Sequence, residues 1–315
     1  MKQRVADYIA DFLADHDIKD VFMVTGGGAM YLDDAFGHSK RLHCTFNHHE
    51  QASAMAAEAY ARINNQIAAV CVTTGPGATN AITGVVCGWM DSIPMLVISG
   101  QARYATTVYS SGLNLRTRGV QEFDIIGSVG NMTKYCALVK SPEDIRYCLE
   151  KAVYTAKSGR PGPCWLDIPQ DVQGATIETE DLRPFIPEES SSPVSKETAR
   201  KIIEKIAKAQ RPLLFAGNGV RLAGAHDEFL KLVKKLNVPV VDGMSSVDAI
   251  ATDHPLYAGR TATTGDRAGN FAVQNCDVLL SLGSRLSFFQ TGFNYKAWAP
   301  DAYKIVNDID PEELK

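Results

Sequence analysis

The chain has 315 residues, 45% of them hydrophobic, and a formal net charge of -4. That is too long for one ordinary core, so two domains are expected, and the mildly acidic balance argues against a nucleic acid or anionic membrane partner and for a small molecule. No apolar run reaches membrane-span length and the start Met1-Lys2-Gln3-Arg4-Val5-Ala6-Asp7 lacks a signal-peptide core, so a cytoplasmic protein is expected.

Taken in order, Val5, Ile9, Phe12 and Leu13 recur at helical spacing and predict an amphipathic helix from Gln3 to His16. Val21 to Val24 is a first buried strand running into Thr25-Gly26-Gly27-Gly28-Ala29-Met30, where glycines let the backbone approach a ligand closely. This turn lacks the Gly-Lys-Ser/Thr of a Walker loop and does not match the dinucleotide fingerprint. His43 to Phe46 reads as a strand that gives way at Glu50 to a helix rich in Ala and Met. Ala68 to Thr73 is a short apolar, β-branched strand, followed by the Gly-rich turn Thr74 to Asn80, a helix of small residues and the strand beginning at Met95. Strand, helix, strand, Gly-rich turn, helix, strand defines a parallel α/β unit with its ligand-facing loops at the carboxyl ends of the strands.

A polar segment from Ala102 to Gly119 leads to Gln121-Glu122-Phe123-Asp124, and Pro142 to Lys157 reads as an amphipathic helix. The run Gly159 to Val172 closes the first domain, expected over 1–173. Residues 174–193, rich in Glu, Ser and Pro, read as an exposed linker. The second domain, 194–315, repeats the alternation: helix Lys196 to Ala209, strand Leu213 to Ala216, turn Gly217-Asn218-Gly219, helix Ala225 to Leu236, and strands at Val238 to Val241, Val278 to Leu282 and Lys304 to Ile309. Two doubly wound parallel sheets are the expected fold class. Seven cysteines, at 44, 71, 87, 136, 148, 164 and 276, show no CxxC spacing and are expected as reduced residues, mostly in the core.

Five motifs fall in order within about sixty residues: His49-Glu50-Gln51, Glu58-Ala59-Tyr60-Ala61-Arg62, Thr74-Gly75-Pro76-Gly77-Ala78-Thr79-Asn80, Asp91-Ser92-Ile93-Pro94 and Gly100-Gln101. Together they resemble the pyrimidine-binding domain of thiamine diphosphate enzymes of the acetolactate synthase and pyruvate oxidase group. The resemblance implies that Glu50 hydrogen-bonds N1′ of the cofactor's aminopyrimidine and favours the imino tautomer, whose N4′ removes the thiazolium C2 proton. A carboxyl group suits this role because it must exchange a proton with a ring nitrogen, which an amide does not. It further implies that Gly26, Gly27, Thr74, Gly75 and Asn80 shape the pocket and that Gln101 and Gln121 face substrate. Glu122 and Lys134 also match the family's pattern, and Val120 stands where it usually has an aromatic against the donor methyl.

The second domain resembles the central domain of the same enzymes. In those members that carry FAD, the flavin touches residues matching Arg160, Gly217, Gly219, Gly283, Arg285 and Asp308, whereas many relatives keep the fold without it. No Gly-Asp-Gly occurs in the chain, so no metal ligands are assigned, and the Mg²⁺ that grips the diphosphate is expected from a diphosphate-binding domain or subunit absent from this sequence. The implied activity is decarboxylation of a pyruvate-like 2-oxo acid with transfer of the acyl-anion equivalent to a carbonyl acceptor, within a homodimer or higher oligomer. Simple decarboxylation or oxidation on the same cofactor, or a non-catalytic scaffold subunit, are the alternatives.

Overall fold

The computed structural model describes residues 1–188 and 193–315. The chain divides into two compact units, Met1–Glu189 and Ser190–Lys315.

The first unit opens with the three-residue strand β1 (Lys2–Arg4), then α1 (Val5–Asp15), β2 (Asp20–Met23), α2 (Met30–His38), β3 (His43–Phe46), α3 (Glu50–Asn64), β4 (Ala68–Val72), α4 (Pro76–Met90) and β5 (Met95–Gln101). Two short helices, α5 (Val108–Ser111) and α6 (Ile125–Val129), interrupt the following loop. The unit ends with β6 (Tyr135–Leu138), α7 (Ile145–Lys157), β7 (Pro163–Pro169), α8 (Gln170–Gly174) and β8 (Thr176–Glu178). Six strands form an all-parallel sheet in the order β3-β2-β4-β5-β7-β6. Every residue of β4, β5 and β7 is buried, as expected of strands covered on both faces. One face packs Val5, Ile9 and Leu13 of α1, Leu32 and Phe36 of α2, and Leu149 and Val153 of α7 into a single core. α3 and α4 lie on the other face, where a Cβ on Gly84 would stand 2.5 Å from that of Ala54. The missing side chain at Gly84 is thus what lets these two helices approach so closely.

The second unit contains α9 (Lys196–Ala207), β9 (Pro212–Ala216), α10 (Gly219–Leu222), α11 (His226–Leu236), β10 (Val240–Asp242), β11 (Tyr257–Arg260), α12 (Arg267–Asn275), β12 (Val278–Leu282), α13 (Phe288–Thr291) and β13 (Tyr303–Asn307). Its parallel sheet runs β11-β10-β9-β12-β13. Leu214, Val240 and Leu280 face a core with Ile206, Phe229 and Val233, and the alternate residues Leu213, Val241 and Leu279 face Val273 and Trp298. Both units are doubly wound, in agreement with the expected fold class.

Three local expectations are corrected. The opening helix starts at Val5, because residues 2–4 form an antiparallel pair with β8 in the register Gln3↔Ile177. Residues 176–178, expected to begin an exposed linker, therefore belong to a strand, and Ile177 and Leu182 reach the first core. The stretch before residue 267 hides β11, an edge strand of the second sheet. Of the expected linker, residues 189–192 lie outside the described residues. All seven cysteines are free thiols; Cys71, Cys148, Cys164 and Cys276 are buried and Cys87 is exposed.

Candidate active site

In the first sheet β2 sits between β3 and β4, and the chain leaves β2 toward one face through α2 but leaves β4 toward the other through α4. Such a reversal opens a crevice at the carboxyl ends of the two strands, the usual ligand position in open α/β sheets. The Gly26–Gly28 loop follows β2, Thr73-Thr74-Gly75 follows β4, and Glu50 is the first residue of α3 beyond β3.

The Glu50 carboxyl is half-buried, and its Oε2 accepts a hydrogen bond of 2.9 Å from Asn80 Nδ2. The pairing follows from helix geometry. Glu50 is one turn before Ala54 and Asn80 one turn before Gly84, so the close approach of α3 and α4 at Ala54 and Gly84 also brings the two polar side chains together. Oε1 lies over Gly77, where a Cβ would come within 3.3 Å of it and within 2.7 Å of the Thr73 methyl. His49 caps α3 by accepting from the Gln51 amide at 3.1 Å, which fixes the helix start beneath the carboxylate.

Gly75 adopts φ 58° and ψ -111°, a backbone region that L side chains avoid, and the Gln121 carbonyl oxygen stands 2.3 Å from where its Cβ would be. Gln121 itself has φ 57°. Its backbone thus forms a wall beside the Gly75 turn, while its side chain is exposed. The Gly26–Gly28 loop is held from below: the Gly26 amide donates to Asp33 Oδ2 at 2.9 Å, the Gly28 amide donates to Thr73 Oγ1 at 3.0 Å, and Gln173 and Gln170 donate to the carbonyls of Gly28 and Gly27. Gly26 and Gly28 face the Thr73 and Thr74 side chains, whereas Gly27 faces open space. The buried Thr74 hydroxyl has no hydrogen-bond partner.

Of the expected catalytic residues, Glu50 presents its carboxyl to this crevice, Gln121 is exposed beside the Gly75 turn, and Gln101 is closed off from solvent. Gln101 is 1% exposed. Its Nε2 donates to Asp167 Oδ2 and the Phe123 carbonyl, and its Oε1 accepts from the Ala102 amide. Glu122 accepts from the amides of Val108, Arg118 and Gly119 and so braces its own loop. Lys134 places its ammonium on the carbonyls of Thr155 and Ser158 at the end of α7, with burial lowering its pKa. Val120 is 84% exposed.

Sequence reading passed over Asp33, Gly77, Ser99 and Asp167. Burial pushes the Asp33 carboxyl up to about 6 against the opposing bond from Gly26. Asp167 is 2% exposed and pushed up to about 7 by burial, with bonds from Ser99 and Gln101 opposing the shift. Gly77 was visible inside its motif and Asp33 bonds Gly26 seven residues away, but nothing local marks Asp167, whose partners Ser99 and Gln101 lie far along the chain.

In the second unit the expected flavin residues at 217, 219 and 283 pack on one another: the Gly219 amide donates to the Gly283 carbonyl at 2.9 Å, and a Cβ on Gly217 would stand 2.2 Å from that same oxygen. Arg285 is exposed beyond β12, and Asp308 Oδ1 accepts from the Asp310 amide at 2.9 Å. Arg160 belongs to the first unit, where its Nε donates to Ser92 Oγ. Among the described residues no group of His, Cys, Asp and Glu side chains is arranged to hold a metal ion.

A carboxylate at the switch point of a parallel sheet, framed by two glycine-dependent turns, defines the class. The profile described as thiamine pyrophosphate enzyme, N-terminal TPP binding domain, matches residues 3–127, and that of the thiamine pyrophosphate enzyme central domain matches residues 199–315. The chain belongs to this family and carries its N-terminal and central domains. At the level of individual proteins, it is 35% identical over 98% of its length to a probable acetolactate synthase large subunit from Methanocaldococcus jannaschii, covering 51% of that protein. It is 36% identical over 98% of its length to the acetolactate synthase isozyme 2 large subunit of Escherichia coli, covering 54%. The Corynebacterium glutamicum acetolactate synthase large subunit is 35% identical over 93% of the chain, which covers 46% of it. The chain spans about half the length of these curated relatives.

Proposed function

We propose that this chain supplies the aminopyrimidine-binding half of a thiamine diphosphate-dependent enzyme that decarboxylates a pyruvate-like 2-oxo acid and transfers the resulting two-carbon unit to a carbonyl acceptor, in the manner of acetolactate synthase. The observation that carries the proposal is the Glu50 carboxyl, fixed on one oxygen by Asn80 and laid over Gly77 at the switch point. The residues fit the cofactor's base. Glu50 can hold or release a proton at Oε1, the Gly26–Gly28 loop and Gly75 leave room for a flat ring, and the unpartnered Thr74 hydroxyl offers a polar contact. When bound, thiamine diphosphate supplies the electron sink for decarboxylation. The protein's part is to orient the base, to keep water from the crevice and to keep the Glu50 proton at Oε1.

The remaining parts of the reading follow from it. Gln121 lies at the wall of the crevice and is assigned to its substrate side, and Gln101 to holding the wall from behind. The Mg²⁺ that grips the diphosphate would come with a further domain or subunit, and the working assembly would be a dimer or higher oligomer. FAD is assigned to the carboxyl end of the second sheet, at Gly217, Gly219, Gly283, Arg285 and Asp308, and visible flavin absorbance of the purified protein tests this separately.

The deciding experiment is H/D exchange of the thiamine diphosphate C2 proton, followed by NMR with Mg²⁺, using this chain completed by a diphosphate-binding domain, beside Glu50→Gln. Acceleration that disappears in Glu50→Gln is expected. A completed assembly that binds cofactor yet leaves exchange at the free-solution rate sinks the catalytic reading.

A further inference from the structure

The loop over Gly75 is held by a buried hydrogen-bond chain. Trp165 Nε1 donates to Ser99 Oγ at 2.8 Å, and Ser99 Oγ donates to Asp167 Oδ1 at 2.6 Å. Asp167 Oδ2 accepts from Gln101 Nε2 at 2.8 Å, and the same Nε2 reaches the Phe123 carbonyl at 3.0 Å. Ser99, Asp167, Trp165 and Gln101 are all at most 2% exposed. The register Ser99↔Asp167 in the β5–β7 pair puts the two side chains side by side, and Gln101 lies two residues further on the same side of β5.

Phe123 is two residues from Gln121, whose positive φ and inward carbonyl form the wall against Gly75. A non-glycine residue in that region persists only where its surroundings over-determine it. Glu122 supplies one restraint through its three backbone acceptor bonds. Thr117 reaches the Gly119 and Glu122 carbonyls within the loop. Gln101 supplies the restraint from the sheet, and because a primary amide rotates freely about its last bond, something must fix which way its two ends point. Asp167 does so: its Oδ2 accepts from the NH₂ end of the amide, and the Ala102 amide selects the oxygen.

We propose that Asp167 is a positioning residue, which orients the Gln101 amide so that it tethers Phe123 and holds the 119–123 loop as the wall of the Glu50 crevice. The proposal rests on the functional reading above only in calling that crevice the cofactor site; the tether is a property of this chain.

The test is amide hydrogen exchange of the chain without cofactor, comparing residues 119–124 with strands β4 and β5. Asp167→Asn is the conservative variant, since its carbonyl oxygen can face Gln101 while its NH₂ donates to Ser99 Oγ, which keeps a lone pair for it. Asp167→Leu and Gln101→Met remove the tether, and Ser99→Ala cuts the chain on the far side of Asp167. Expected is a rise of at least about tenfold in loop exchange for Asp167→Leu and Gln101→Met, relative to the strands, with Asp167→Asn and Ser99→Ala near wild type. Equal rises in loop and strands, or a loop that stays protected in Gln101→Met, overturn the proposal. Gln101→Met keeps the test decisive if Asp167→Leu does not fold. Because no cofactor is present, this result stands apart from the C2-proton experiment, and either reading can fail alone.

Discussion

Gly77 leaves the space into which the Glu50 carboxyl folds. A methyl group there would meet the Thr73 methyl at 2.7 Å and Glu50 Oε1 at 3.3 Å, and the short, β-branched Thr73 side chain has little freedom to move aside. Gly77→Ala is expected to cost about 1–3 kcal/mol through overpacking and to weaken C2-proton exchange in the completed enzyme, because the carboxyl must swing away from its position beside Asn80. Thermal melting reads the first effect and the exchange rate the second; an unchanged exchange rate would mean that the carboxyl tolerates displacement. Asp167 gives a residue-scale prediction of different sign from most carboxylates. Burial lifts its folded value from 3.8 to about 7, so between these limits the folded state binds the proton more tightly than the unfolded state. Its contribution to stability is full below about pH 4, falls as pH rises toward 7 and is level beyond, bounded by roughly 1.4 kcal/mol per pKa unit. Denaturant melts of the wild type and Asp167→Asn across this range should show their stability difference shifting in favour of the variant as pH rises. A pH-independent difference would show that Asp167 does not titrate there. None of this was legible locally: Asp167 and Ser99 are 68 positions apart, and only the sheet makes them neighbours.

At the scale of elements, what the sequence declared were strands buried on both faces and helices with a clear apolar side. Val278–Leu282 coincides with its expected bounds because a short apolar, β-branched run between turn residues has few other ways to fold, and the edge strand His43–Phe46 coincides with its own although none of its residues is buried. The Glu50 helix start was equally visible, through its small-residue helix and the Gly-rich turn that follows β4. The β1–β8 pair and β11 were hidden because each is three or four residues long and gains its stability from a partner strand rather than from its own pattern. β11 depends further on Asp266. That carboxylate caps α12 by accepting from the Gly269 amide at 2.6 Å, and its other oxygen accepts from the Arg260 amide at 2.8 Å, pinning the end of the strand to the start of the helix. Asp266→Ala is expected to destabilise the second unit by about 1–2 kcal/mol. The backbone donor from Gly269 lowers the Asp266 pKa, so its contribution is present above the ordinary carboxylate value and lost as pH falls through the lower folded value. The gap between wild type and variant should therefore close in acid, and a gap that survives there would assign the loss to packing.

At the scale of the whole molecule, the residues divide the recognition of thiamine diphosphate unevenly. The first unit offers a carboxyl, an amide, a hydroxyl and glycine-lined space suited to a flat nitrogenous ring. A hard cation bridging a diphosphate needs several oxygen ligands converging at 2.0–2.1 Å for Mg²⁺, and among the described residues no carboxylate cluster of that kind exists. Binding by this chain alone should therefore follow the ring and ignore the diphosphate. Thiamine and thiamine diphosphate are expected to bind with affinities within about twofold of each other, and Mg²⁺ to change neither, because a cation adds affinity only where protein oxygens share it with the phosphates. Calorimetric titration of both ligands, with and without Mg²⁺ and beside Asn80→Ala, checks this. A marked preference for the diphosphate that depends on Mg²⁺ would place phosphate and metal recognition within this chain and refute the division. Equal binding of both ligands, weakened in Asn80→Ala, would fix the ring at Glu50 and leave the diphosphate to a separate domain.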